Sequence, residues 1–401
     1  MYFNARSLTI DTSKHAQEAL SQIGCQAQGL KIMVPKSIFK VIKLEGLLAK
    51  EANLLKQTFL AKGGEVAIAK GCADLSIMKS DVLVCATLKQ YQAALIQLKN
   101  QPWGLPAIAS EIEKVLQGTI NDVSRSYSFS TCQLRLQPYH TSIMGILNIT
   151  PDSFSDGGKF NHLEAALAHM RQLVGDGADI IDLGAESTRP YGSSLVSAEE
   201  ETQRLLPVLK EVVKQCPVPI SIDTYKASVA EEALQAGAHI LNDIWGLQGD
   251  PHMAEVAATY HVPIVIMHNS HSHDYKADIM GEIIRFLHNS IEIGLKAGMD
   301  FSQFIVDPGI GFAKIPAQNL VIMSRLDELK ALGCPILLGT SRKRFIGEVL
   351  NVPVEDRVEG TGATVAVGIM KGAQIVRVHD VKPIARIAKM TDYMMRRDNN
   401  A

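Results

Sequence analysis

The chain has 401 residues, 46% of them hydrophobic and 20% charged. That is enough for a full buried core and, at roughly 100 to 200 residues per domain, for two domains, one of which can be an α/β barrel of about 250 residues. A formal net charge of −2 gives no global attraction to nucleic acid or to an anionic membrane. The six cysteines stand apart with no CxxC pair, which argues against a disulfide or zinc framework. With no basic-then-apolar leader and no apolar run near about 18 residues, the expectation is a cytoplasmic protein.

Residues 1 to 121 follow no regular rhythm and read as a small α/β domain. Leu30 to Val34 and Val82 to Ala86 are predicted strands, and Ser37 to Lys62, Lys89 to Lys99 and Pro106 to Gln117 predicted helices, the first ended by Gly63-Gly64. Up to Ile120 the chain carries 14 Lys and Arg against 9 Asp and Glu, a weak basic surplus. Asn121 to Ser130 is polar and serine-rich, as a linker would be, and Cys132 to Gln137 alternates like a short strand able to plug the bottom of the next domain; together 122 to 141 join the two parts.

From 142 to 396 short apolar runs alternate with amphipathic stretches every 25 to 40 residues or so, the signature of repeated βα units. The predicted strands are Ile143 to Asn148, Ile180 to Gly184, Ile220 to Asp223, Ile240 to Asp243, Ile264 to His268, Ile305 to Asp307, Ile336 to Gly339 and Ile375 to His379. Eight units without a topological break favour a closed (β/α)8 TIM barrel, whose chemistry sits where the strands end.

Those ends are polar throughout. In order they bring Asn148; Asp182 with Glu186, Ser187, Thr188, Arg189 and Pro190; Asp223 with Lys226; Asn242; Met267 and His268; Asp307; Gly339 with Ser341 and Lys343; and Arg377 with His379. A lone polar residue there is more often a helix cap, the role assigned to Thr224, Asp243 and Asp380. Eight at one rim would leave costly unpaired groups unless a ligand met them. Asp223, Asn242 and Asp307 suit the N–H and C=O edge of a flat heterocycle, with Ile244, Met267 and Phe312 as apolar walls. Asn148, Thr188, Arg189, Ser341, Arg377 and His379 suit a phosphate or diphosphate. Lys343 could form a Schiff base, but its cationic neighbours favour pairing with Asp307 and contact with the ring. His268, His271 and His273 match no zinc spacing; the last two are better read as a solvated loop. The glycine-rich stretch after the first strand, with Phe154, Asp156 and Gly157-Gly158, has the composition of a closing loop. Arg377 and Lys343 are expected to serve the ligand while leaving folding unaffected.

MGILNITPDSFSDGG (144–158), DLGAESTRP (182–190), ISIDT (220–224), LNDI (241–244), VDPGIGFAK (306–314), GTSRKRFIG (339–347) and VRVHDV (376–381) resemble dihydropteroate synthase, in that family's order and over nearly all of 142 to 396. The resemblance implies condensation of 6-hydroxymethyl-7,8-dihydropterin diphosphate with p-aminobenzoate, giving 7,8-dihydropteroate and diphosphate. It implies pterin contacts from Asp223, Asn242, Asp307 and Lys343, with Gly339 beside them, and diphosphate contacts from Asn148, Arg377 and His379 with Mg2+, Asn148 being the metal ligand. Thr188, Arg189 and Pro190 would lie on a second mobile loop, and Phe154, Pro190, Thr188 and Ser341 around p-aminobenzoate. Asp156, Lys343 and Arg189 are the implied catalytic groups, sulfonamides the implied competitors, and a homodimer the common assembly. Gly184-Ala185-Glu186 departs from a pattern that often has a second glycine, and residues 1 to 121 are an extension, similar to one in some clostridial and archaeal-type members. An enzyme rival is a methyltetrahydrofolate-dependent corrinoid methyltransferase, which would leave the anion-binding residues unused. The expected role of the extension is docking or oligomerisation.

Overall fold

The computed structural model describes residues 3–120, 123–149, 159–186, 196–275 and 277–396, the side chains of 159–162 excepted. The chain forms two compact units, Met1–Asp122 and Val123–Ala401.

In the first unit α1 (Ser13–Gln22) and α2 (Ala27–Ser37) precede β1 (Phe39–Leu48), α3 (Ala49–Leu60), β2 (Glu65–Ile68), β3 (Lys79–Thr87), α4 (Leu88–Leu98) and α5 (Leu105–Ile120). The sheet runs β1-β3-β2, antiparallel throughout. Two sequence expectations fail here. Leu30 to Val34 is helical, within α2, because Leu30 and Val34 share one helical side while Ile32 and Met33 face solvent. The predicted helix from Ser37 splits into β1 and α3: Ile42 and Leu44 are buried between exposed Val41, Lys43 and Glu45, a period of two that the later leucines obscured. Leu55, Phe59, Val82, Val84, Tyr91 and Leu98 form this unit's core.

The second unit opens with a hairpin of β4 (Arg125–Ser128) and β5 (Gln133–Leu136), so the stretch read as a linker is partly strand. Eight parallel strands follow: β6 (Ser142–Asn148), β7 (Ile180–Gly184), β8 (Ile220–Asp223), β9 (Ile240–Asp243), β10 (Ile264–Met267), β11 (Phe304–Asp307), β12 (Ile336–Leu338) and β13 (Ala373–Val378). They close on themselves, β13 pairing with β6, which makes the predicted barrel. Its helices are α6 (Lys159–Gly175), α7 (Ala198–Gln215), α8 (Ala227–Gln235), α9 (Met253–Thr259), α10 (Ile279–Lys296), α11 (Pro316–Ser324), α12 (Arg344–Leu350), α13 (Val358–Met370) and α14 (Val381–Met395).

The strands are nearly continuous apolar runs because both faces are covered, one by helices and one by the barrel interior. Outward Ile181, Ile222, Leu241, Ile266, Val306 and Val376 join the helix-covered core. Inward Met144, Ile180, Ile240, Val265, Ile305, Leu337 and Ile375 form the lower layer, sealed by Tyr127, Leu134 and Leu136 of the hairpin, the plug expected for Cys132 to Gln137. Two residues beyond the floor residues Ile180, Ile240, Ile305 and Ile375 the inward side chain is polar: Asp182, Asn242, Asp307 and Arg377. The alternation of a strand therefore stacks a site directly on an apolar floor.

Candidate active site

Asp182, Asp223, Asn242, Met267, Asp307 and Arg377 each stand two positions beyond a residue of the floor or, for Asp223, beyond Ser221, and so face the interior. Going round the barrel, Asp223, Asn242, Met267 and Asp307 lie on four neighbouring strands, β8 to β11. Ser341, Arg377, His379 and Asn148 come from β13, β6 or the turns after β12 and β13, with Gly339 and Lys343 just past the end of β12, where this arc meets the first. The groups suited to a ring and those suited to an anion thus occupy two continuous arcs.

Arg377 connects them. Its Nε donates to Asp182 Oδ2 at 2.6 Å and its Nη2 to Asp223 Oδ2 at 2.7 Å, and Asn242 Nδ2 donates to Asp182 Oδ2 at 3.2 Å. Burial would lower the guanidinium's pKa, but its buried acidic partners raise it overall. Asp223 is pushed up to about 7 by burial, with Arg377 pulling the other way and Asp182 adding to the rise. Its second oxygen, Oδ1, is buried without a hydrogen-bond partner among the described residues. A buried carboxylate oxygen left in that condition is costly and calls for a donor from a ligand.

Asp307 accepts the N–H of Gly309 on Oδ1 at 2.7 Å, while burial raises its pKa. Lys343 donates to the Ile310 carbonyl, and its Nζ lies 4.5 Å from the centre of the Phe312 ring. The direct Lys343–Asp307 pair expected from sequence is not formed; Asp307 acts on Lys343 through its field, against the burial that lowers the lysine to about 8. Ile244 and Met267 are buried but belong to neither the helix-covered core nor the floor, as walls of a mouth would be. On the anion arc Ser341 Oγ accepts the His379 N–H at 3.1 Å and lies 2.9 Å from His379 Nδ1. Asn148 pairs in register with Gly184. Phe154, Asp156, Thr188, Arg189 and Pro190 lie outside the described residues.

Two glycines have opposite reasons. Gly309 has φ +69°, and a Cβ there would sit 1.9 Å from the His268 carbonyl, so the turn itself excludes a side chain. At Gly339 a Cβ would meet nothing closer than Asp307 Oδ2 at 3.9 Å and Arg377 Cβ at 4.0 Å; the space is open. Gly339→Ala is therefore expected to unfold at the wild-type midpoint but to lose about tenfold in pterin affinity by intruding on the ring. Urea titration and pterin binding check this, and unchanged affinity would place the ring elsewhere.

Sequence reasoning left some mouth residues without a role. Asp182 was visible at its strand end, but nothing local showed that it holds Arg377 and Asn242. Lys314 is buried, its Nζ 2.9 Å from His268 Nδ1 and donating to Phe312 O at 3.0 Å. Burial lowers Lys314 to about 7 and, with Lys314 beside it, lowers His268 to about 3, so His268 is neutral and buried, its Nδ1 turned to Lys314. Asp243 caps no helix; it holds the turn after β9, accepting the N–H groups of Trp245 and Leu247. Nor does the Asp380 side chain cap one; its carboxylate holds Arg342.

This parallel barrel, with acids and an amide on one arc of its mouth and Arg377, Ser341 and His379 on the other, matches over residues 144–379 the family described as pterin binding enzyme. The chain is 56% identical over 255 residues to dihydropteroate synthase of Bacillus subtilis, covering 64% of this chain and 89% of that one. The chain belongs to the dihydropteroate synthase family. It is a transferase that condenses 6-hydroxymethyl-7,8-dihydropterin diphosphate with p-aminobenzoate, and the corrinoid methyltransferase alternative is not favoured. The crystal structure of Yersinia pestis dihydropteroate synthase with a sulfonamide drug complex is similar at a TM-score of 0.62 and 40% identity, covering 67% of this chain and 98% of that one. A probable bifunctional folylpolyglutamate synthase/dihydropteroate synthase of Halobacterium salinarum is 37% identical over 381 residues, 93% of this chain and 45% of that one. That alignment is too long to lie within Val123–Ala401 alone, so it extends into the first unit.

Proposed function

We propose that the β8 to β11 arc binds the pteridine edge and the β12, β13 and β6 arc the departing diphosphate, the observation carrying this being the buried Asp223 Oδ1, which has no hydrogen-bond partner among the described residues. Asp223, Asn242 and Asp307 meet the ring's donors and acceptors, Lys343 and Phe312 close over it, and Ile244 and Met267 wall it. As the bond from the pterin CH2 to the diphosphate oxygen breaks, the oxygen keeps the electron pair and the CH2 carries a positive charge delocalised into the ring. Arg377, Ser341 and His379 face the first charge and the acids of the other arc the second. The p-aminobenzoate nitrogen then attacks the CH2 and loses a proton. Phe154, Thr188, Pro190 and Ser341 are assigned to that substrate, Thr188 and Arg189 also to the diphosphate, and Asp156 to the amine proton.

Mg2+ fits this reading in a limited way. Among the described residues no group of three or more His, Cys, Asp or Glu could hold a metal by itself. Magnesium commonly takes one or two protein oxygens and fills its other positions with substrate phosphates and water, and the amide oxygen of Asn148 is a donor of that kind. The ion would supply charge neutralisation to the leaving diphosphate. A cytoplasmic location is supported by six cysteines that are all free thiols.

The test is diphosphate release from the pterin substrate. It is expected to rise when p-aminobenzoate is added, to fall when magnesium is chelated, and to be inhibited by a sulfonamide competitively against p-aminobenzoate. Methyl transfer to cobalamin without diphosphate release would overturn the assignment.

A further inference from the structure

Just beyond the carboxyl ends of β7 and β8 lies a buried ionic cluster that the reaction as derived does not use. Lys226 Nζ donates to Glu186 Oε2 and Glu201 Oε2, each at 2.5 Å. The carboxylate side chains are 6% and 1% exposed. Glu186 Oε1 also accepts the N–H of Val196 at 3.4 Å. Burial would lower the lysine's pKa, but its two acidic partners raise it overall, so it is charged.

The placement is unusual for both acids. Glu201 shares one helical side with Leu205, Val208 and Val212 of α7, the side turned to the core, where an apolar residue would otherwise stand. A buried carboxylate there costs free energy that an apolar side chain would avoid, and one lysine facing two carboxylates does not balance their charge. The cluster is thus a poor device for stability alone. In sequence Glu186 stands just before residues 187–195 and Val196 and Glu201 just after them, so one lysine grips both ends of the segment that carries Thr188, Arg189 and Pro190. Lys226 itself follows Asp223 by three residues, and its neighbour Thr224 is tied to β9 through the Asn242 carbonyl.

We propose that Lys226 is a positioning residue for the second half of the reaction: by clamping Glu186 and Glu201 it sets where the chain leaves β7 and re-enters α7, and so where the groups between them meet p-aminobenzoate and the diphosphate. This rests on the assignment of Thr188, Arg189 and Pro190 to those ligands.

The experiment compares Lys226→Met, Lys226→Arg, Glu201→Gln and Arg189→Ala in the full chain. It reads KM for p-aminobenzoate, kcat, and the Kd of 6-hydroxymethylpterin, which lacks the diphosphate. Lys226→Met is expected to raise KM for p-aminobenzoate, or lower kcat, by roughly 10- to 100-fold, as small misplacements of substrate-positioning groups do, with pterin Kd changed by less than about twofold. Lys226→Arg, whose guanidinium can meet both carboxylates, should recover much of the loss. A parallel loss of pterin affinity, or unchanged kinetics with only a lower melting temperature, would overturn the proposal. If Lys226→Met does not fold, Lys226→Arg and Glu201→Gln decide by the same split between the two substrates. If Arg189→Ala retains full turnover, the underlying assignment fails; if it loses turnover while the Lys226 variants do not, the clamp alone is wrong.

Discussion

Replacing Arg377 with methionine should cut turnover more than a hundredfold and also destabilise the barrel by about 3–5 kcal/mol, the usual cost of stranding a buried charge. Sequence alone suggested that this residue served the ligand and left folding unaffected. The ion pairs argue for a stability cost, because Arg377 holds two carboxylates, Asp182 at 0% exposure and Asp223 at 5%. Without the guanidinium these two acids, on the paired strands β7 and β8, keep among the described residues only the amide of Asn242 on Asp182. Urea unfolding with an unchanged slope and a lowered midpoint would register the loss. Adding Asp182→Asn to the same chain should restore part of the midpoint and none of the turnover. A single variant that unfolds at the wild-type midpoint would show that the two acids do not depend on Arg377.

Asp223→Asn, nearly the same in shape, is expected to weaken pterin binding about a hundredfold, from roughly 3 kcal/mol lost when a charged acceptor becomes a neutral amide that points a donor at the ring. Its pH signature follows from the raised pKa. Burial brings Asp223 to about 7, so as pH falls through that value the carboxyl takes up a proton and presents an O–H where an N–H must dock. Wild-type affinity should therefore climb with pH up to about 7 and level off, while Asp223→Asn shows no such climb. The stability term has the opposite sign: between the unfolded value near 4 and about 7 the folded chain holds more protons than the unfolded one, so this group's contribution falls as pH rises. Isothermal titration from pH 5 to 8 separates the two chains, and parallel curves would remove Asp223 from the ring site.

The barrel was legible because each of its strands is short, apolar and bounded by polar turns, and because the side-chain period of two carries floor residues such as Ile240 and Ile305 to Asn242 and Asp307 with no further information. The first unit was less so. β1 and α3 adjoin without a break, their leucines running through both, and only the buried Ile42 and Leu44 reveal the change of period. Long-range charge pairing left no local trace. The Asp182–Arg377 pair spans 195 positions, and Lys226 reaches 40 positions back to Glu186. A buried glutamate on the apolar side of α7 was the one signal that could have exposed the clamp. Lys314 likewise sat in a quoted motif, yet its contact with His268 follows only from the fold.

The most direct measurement is a crystal structure with 6-hydroxymethyl-7,8-dihydropterin diphosphate and magnesium. The ring should place a donor on Asp223 Oδ1 and lie over Gly339 between Phe312 and Met267, with the diphosphate toward Asn148, Ser341 and His379. A ring bound outside the β8 to β11 arc, or an Asp223 Oδ1 still without a donor in the occupied site, would contradict the division of the mouth into a heterocycle arc and an anion arc.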